Sequence, residues 1–199
     1  MINITFRLLL TFNATSLLVI IFLIQKEYDL AYFLDDSSYS VWAEQLPKPA
    51  SYLAFLLIPI LSTRVSIALS SLLGKDEFKH GETINIEHAN NSFLPSYLGY
   101  FFVALSINNW ETLWFVYAIL FTFTFLSQAL YFNPLFLLYR YEFYNITTKN
   151  GTCIFLISQQ KYKKPDDVTI SKAYRINDYT FIEKGNKNGP HISQNKKTN

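Results

Sequence analysis

Long apolar runs decide what this chain can be. Leu8 to Ile24 and Ser51 to Leu73 each approach the roughly 20 apolar residues that a helix needs to cross the hydrocarbon core of a bilayer. Two further runs, Phe93 to Ile107 and Thr112 to Phe132, are separated by little more than a turn at Asn108-Asn109 and read as the arms of a hairpin. The expected fold class is a membrane α-helical domain with four transmembrane helices over residues 1–132, with spans at about 8–24, 51–73, 93–107 and 112–132. A small C-terminal antiparallel β domain follows over residues 133–184, and a polar tail over 185–199 reads as disordered.

Charge supports this division. Residues 1–132 carry 6 Lys/Arg and 10 Asp/Glu and residues 133–199 carry 11 and 5, so the net charge of +2 combines −4 and +6. The first run has a rival reading as a signal peptide. Its basic end is weak, no small-x-small cleavage site follows, and more apolar segments come later, so it reads as a retained helix. Positive residues resist translocation, and Arg7, Lys75, Lys79, Arg140 and Lys149 outnumber Lys26 and Lys48, which places both termini in the cytoplasm. Residues 25–50 then form an acidic outer loop whose Leu30, Phe33, Leu34, Val41 and Trp42 suit packing on the bundle or the membrane surface. The single cysteine, Cys153, forms no intramolecular disulfide and fits a reducing compartment.

Beyond Asn133-Pro134 the pattern becomes alternating. Tyr141 to Thr148 and Thr152 to Ser158 flank Asn150-Gly151, a strong hairpin signal, and Val168 to Ile176 and Tyr179 to Ile182 complete a predicted β-meander. About 45 residues of sheet bury little core, so the sheet is expected to dock on the helices, a partner or its own copies. Thr83-Ile84-Asn85-Ile86 offers an extra edge strand.

Arg64 stands near the middle of the second span, where a charge costs about 2.5–3.5 kcal/mol on insertion scales. It is expected to face other helices, water or a partner, with Asn13 and Gln128 as candidate hydrogen-bonding groups. Pro59 removes a helical hydrogen bond five residues earlier and kinks the span. Ser62, Ser66 and Ser70 recur every fourth residue as a helix-packing stripe, about 200° from Arg64 in the case of Ser62. Such a helix is satisfied in a homo-oligomer. No phosphate loop, nucleophile elbow or Cys-x-x-Cys pair is present, so neither an enzyme nor a cofactor is expected. His80 and His88, with Glu82 and Glu87, lack metal-ligand spacing and read as a solvated loop. Lys161, Tyr162, Lys163 and Lys164 form a basic turn, a candidate docking surface for a partner.

The stretch Ala89-Asn-Asn-Ser-Phe-Leu-Pro-Ser-Tyr-Leu-Gly-Tyr-Phe-Phe-Val-Ala104, with Asn133-Pro134-Leu-Phe-Leu-Leu138, Tyr141-Glu-Phe-Tyr-Asn-Ile-Thr147 and Gly151, resembles the KwaA family, the membrane subunit of the bacterial Kiwa anti-phage defence system. The resemblance implies an inner-membrane homo-oligomer, a tetramer, that senses infection and signals to a cytoplasmic DNA-binding effector, KwaB. Direct nucleic-acid binding by this chain is not expected. Two other classes compete with that reading: a small oligomeric ion channel or transporter with Arg64 lining its pathway, and a structural membrane scaffold.

Overall fold

The computed structural model describes residues 2–34, 40–79, 81–90, 94–127 and 133–185. The helices are α1 (Ile2–Gln25), α2 (Leu30–Leu34), α3 (Ser40–Glu44), α4 (Lys48–Leu69), α5 (Leu94–Ser106), α6 (Trp110–Leu126) and α7 (Leu135–Leu138). The strands are β1 (Lys75–Phe78), β2 (Thr83–His88), β3 (Glu142–Thr148), β4 (Cys153–Ser158), β5 (Ile170–Arg175) and β6 (Thr180–Glu183).

Among the described residues, two helices are long and apolar enough to cross a membrane, Ile4–Gln25 and Lys48–Leu72, where the sequence pattern had led us to expect four. The other two apolar helices fall short: α5 has 13 residues and α6 has 17, partly because Asn109 starts α6 by accepting a hydrogen bond from the Thr112 amide. The predicted disordered tail lies outside the described residues, apart from Gly185.

The first helix is the axis of the bundle. α4, α5 and α6 all pack on α1, whose Leu18 and Phe22 are fully buried with Ala104 of α5 and Leu113 of α6. This position suits a retained helix, because deleting it would remove the core. Between α1 and α4, the described residues form the short helices α2 and α3, and Tyr28 and α2 rest on the bundle. Tyr28 stacks on Trp110, and Phe33 meets Phe55 and Trp110 edge-on, while Val41 and Trp42 stay exposed.

The sheet is larger than the four predicted strands, and it is not a meander. Its order is β1-β5-β6-β4-β3-β2, with a parallel β4–β6 step and antiparallel pairing elsewhere. The connection of residues 159–169 carries the chain past the neighbouring position, and β6 then returns between β5 and β4. Both edges come from the segment between α4 and α5. Four antiparallel steps leave β1 and β2 pointing the same way, so residues 75–88 are one bent run that pairs first with β5 and then with β3.

A flat six-stranded sheet would hold its edges about 24 Å apart. Phe78 and Thr83 are five residues apart and can span at most about 18 Å, so the sheet must curl into a barrel-like shape. Gly81 makes the bend at φ +79°, a conformation that suits glycine. The β3–β4 turn reaches positive φ only at Gly151, with its amide donating to the Thr148 carbonyl, as in a three-residue hairpin loop with a bulge.

Curling gives the sheet two buried sides. Inside lie Tyr144, Leu156, Val168 and Phe181. Outside, Phe136, Phe143, Phe155 and Ile182 pack with Phe6 and Leu10 of α1, so the sheet docks on the helices of its own chain. Phe143 is fully buried, stacks on Phe155 at 5.7 Å and meets Phe136 at 6.3 Å. Phe143→Ala should lower stability by about 3–5 kcal/mol, read as a fall in the thermal unfolding midpoint of the detergent-purified protein.

Candidate functional site

α1 carries four buried polar side chains within six residues, Thr11, Asn13, Thr15 and Ser16. Side-chain hydrogen bonds link this helix to each neighbour, three of them near its middle. Asn13 Nδ2 donates to Ser66 Oγ of α4 at 2.9 Å, Thr15 Oγ1 donates to the Tyr117 hydroxyl of α6 at 3.2 Å, and the Tyr97 hydroxyl of α5 donates to the Ala14 carbonyl at 3.0 Å. Bonds of this kind contribute on average about 0.6 kcal/mol each between membrane helices, so their main effect is on register.

A second set of contacts runs from the Pro59 turn of α4 toward the sheet. Thr63 Oγ1 donates to the Pro59 carbonyl at 2.8 Å and accepts from Asn133 Nδ2 at 3.0 Å. Asn133 Oδ1 accepts from the Leu135 amide at 3.0 Å at the start of α7, and the Tyr139 hydroxyl donates to the Ile60 carbonyl at 2.8 Å. α7 leads into β3 after three intervening residues, among them Arg140 at φ +62°. The residues bonded toward the start of the sheet, Ile60 and Thr63, therefore lie in the turn of α4 that follows the proline.

Several predicted site residues fall elsewhere. Asn13 bonds to Ser66 rather than to Arg64, and its Oδ1 is buried without a hydrogen-bond partner among the described residues. Arg64 is exposed on the outer side of α4 and makes no hydrogen bond or ion pair with the described residues. Gln128 and His80 lie outside the described residues. Pro59, Ser66 and Ser70 are buried and Ser62 is half-buried, so the serine stripe faces the protein. His88 lies 3.3 Å from Glu142, and no cluster of three potential metal ligands occurs among the described residues. Within the basic turn, Lys161 pairs with Glu142 at 3.3 Å and the Tyr162 hydroxyl donates to Glu183 at 2.7 Å, while the backbone amides of Lys163 and Lys164 donate to Asp167. Of these, the Lys161 side chain stays largely exposed despite its ion pair. Thr63, Asn133, Tyr139 and Glu183 had not been singled out. An Asn just before Pro is a turn and cap signal, and it could have marked Asn133.

The profile of the family described as "KwaA: Anti-phage protein KwaA" matches residues 6–182. The chain belongs to the KwaA family. Its membership identifies it as an anti-phage defence protein. No curated protein and no solved structure matches the chain.

The part matched to KwaA runs from the first turns of α1 into β6, so it takes in both the Pro59 link and the curled sheet. It stops one residue short of a buried carboxyl group. Glu183 Oε2 accepts from Ser158 Oγ at 2.6 Å and from the Tyr162 hydroxyl at 2.7 Å. Burial pushes this carboxyl above the ordinary range, although the two hydroxyls pull it down. Burial also raises the Tyr162 hydroxyl, with the Glu183 charge adding to the effect. At Glu142 burial acts upward too, but Tyr144, Lys161 and His88 outweigh it and the carboxyl titrates low.

Because the folded state raises Glu183 above its unfolded value, the protonated form favours folding. That contribution is complete below the unfolded pKa of about 4.3 and is lost as pH rises through the folded value. Glu183→Gln keeps an oxygen for both hydroxyls without the charge. In this KwaA-family protein it should match wild type near pH 4 and become progressively more stable than wild type toward neutrality, as measured by unfolding midpoints across pH.

Proposed function

We propose that this KwaA-family chain is a bacterial inner-membrane, homo-oligomeric sensor, not an enzyme, that registers infection and signals to the cytoplasmic DNA-binding effector KwaB. In this reading the α5–α6 hairpin is membrane-embedded along with α1 and α4. Its outward side chains support this placement: Phe102, Phe115, Phe123 and Leu126 are each at least 65% exposed, a surface suited to hydrocarbon and ill suited to water. Four embedded helices put both termini in the cytoplasm, with the sheet beneath the inner leaflet. Arg64 supports the oligomer, since an outward guanidinium at that depth calls for a neighbour. A tetramer is the assembly the family resemblance suggests.

The observation that carries the reading is the Pro59–Thr63–Asn133 and Ile60–Tyr139 linkage, which joins the proline-containing helix α4 to the segment leading into the sheet by short hydrogen bonds. A stimulus can shift such a receptor only by binding or straining its two states differently. Asn133→Ala combined with Tyr139→Phe should leave the protein in the membrane and bound to KwaB. Plaque formation on cells expressing both proteins should rise to that on cells lacking the system. Full protection by the double variant would overturn the linkage as the route of the signal.

The exposure of Arg64 also favours a second reading, an anion-attracting channel formed by several copies. Arg64→Leu separates the two. Conductance in planar bilayers that is present in wild type and lost in the variant supports the channel. Absence of wild-type conductance, together with a smaller assembly for the variant in detergent, supports Arg64 as an assembly determinant.

A further inference from the structure

α4 and α6 both pack on α1 and leave between them a groove of about 560 Å³. It runs from Leu23 and Trp114, near the outer-loop end of the bundle, to Phe12 and Thr122, with Phe55 and Pro59 forming the α4 wall. Eleven residues of α1 separate Phe12 from Leu23, so the groove is about 16 Å long. The polar groups along its middle, those of Ser16 and Tyr117, are engaged inside the protein, while Trp114 and Thr122 stand at its two ends. Ser16 Oγ donates to the Asn13 carbonyl at 3.0 Å, and the Tyr117 hydroxyl accepts from Thr15. An occupant therefore needs no polar group along the middle of the groove.

Width decides between the apolar occupants available at this depth. The volume spread over that length gives a mean cross-section of about 35 Å². A helix about 10 Å across could rest over the open side of the groove only by its side chains, whereas a single hydrocarbon chain, set by carbon–carbon contacts of about 4 Å, can lie within it. At the outer end the groove meets an aromatic cluster, where Trp110 stacks on Trp114 and Phe33 meets Phe55 and Trp110 edge-on. Tryptophan and tyrosine favour the headgroup level of a bilayer. We infer that the groove between α1, α4 and α6 is a binding site for one acyl chain of a phospholipid, inserted from the outer leaflet with its headgroup near Trp110 and Trp114. The inference rests on the membrane placement proposed above. It puts a lipid against Pro59, one turn from the residues bonded to α7, so occupancy of the groove would bear directly on the kink.

The test uses the full chain reconstituted in phosphatidylethanolamine–phosphatidylglycerol vesicles that contain a phospholipid with a photoreactive diazirine on one acyl chain. Adducts are mapped by mass spectrometry. Labelling should concentrate on Phe12 and Phe121 in the groove, above the level at Phe102 on the outer face of α5. Ala118 is exposed and lines the groove, so Ala118→Leu and Ala118→Phe add bulk there without opening the core. Both should abolish groove labelling and leave Phe102 labelled, with unchanged elution and melting; Ala118→Leu is the milder of the two should Ala118→Phe fold poorly. Even labelling of groove and outer face, or groove labelling that persists in both variants, would overturn the inference. So would chain-to-chain cross-links from a photoreactive residue at position 121, which would make a second copy the occupant. Absence of lipid adducts anywhere on the helices would instead overturn the membrane placement.

Discussion

A helix carrying Thr11, Asn13, Thr15 and Ser16 cannot turn that surface to hydrocarbon, where each unsatisfied polar group is costly. The arrangement of the other helices follows from this constraint. α1 sits at the centre, its hydroxyls turn back to its own carbonyls or outward to a neighbour, and α4, α5 and α6 cover it. α4 turns Ser66 and Thr63 inward to meet Asn13 and Asn133, which leaves Leu57, Leu61, Val65 and Arg64 facing outward. The exposure of Arg64 is thus the other side of the pairing at Ser66, because a helix that buries one polar face must present the opposite one.

The long apolar runs were legible because composition alone carries them. The lengths of the two shorter helices were not, since a hydropathy run says nothing of where Asn109 starts α6 or where α5 ends. The individual β-strands were also legible, because alternation and turn residues are local signals. Their order was not: whether β6 lies beside β5 alone or between β5 and β4 depends on contacts across the whole sheet. Thr83 to Ile86 was expected as an edge strand, and it does pair with β3. Its partner run, Lys75 to Phe78, was missed because Lys-Asp-Glu-Phe is three-quarters charged and carries no strand signature.

The candidate site divides along the same line. Pro59 and the serine stripe could be read from residue type and spacing. The link from Thr63 through Asn133 joins positions 70 residues apart, and Tyr139 to Ile60 joins positions 79 apart. Such pairings exist only once the fold has formed. Glu183 was hidden for a similar reason, since a lone acid at the end of a strand looks like a surface residue until Ser158 and Tyr162 close over it.

The bent run that supplies both edges of the sheet also sets an order of events during synthesis. Residues 75–88 leave the ribosome more than 50 residues before β3, and still further ahead of β5. At about 5–20 residues per second, β2 waits roughly 3–10 s for β3 and β1 roughly 5–18 s for β5. Bare strand edges are prone to join other chains. The α5–α6 hairpin is made during that interval, so the helices are in place before the sheet can close.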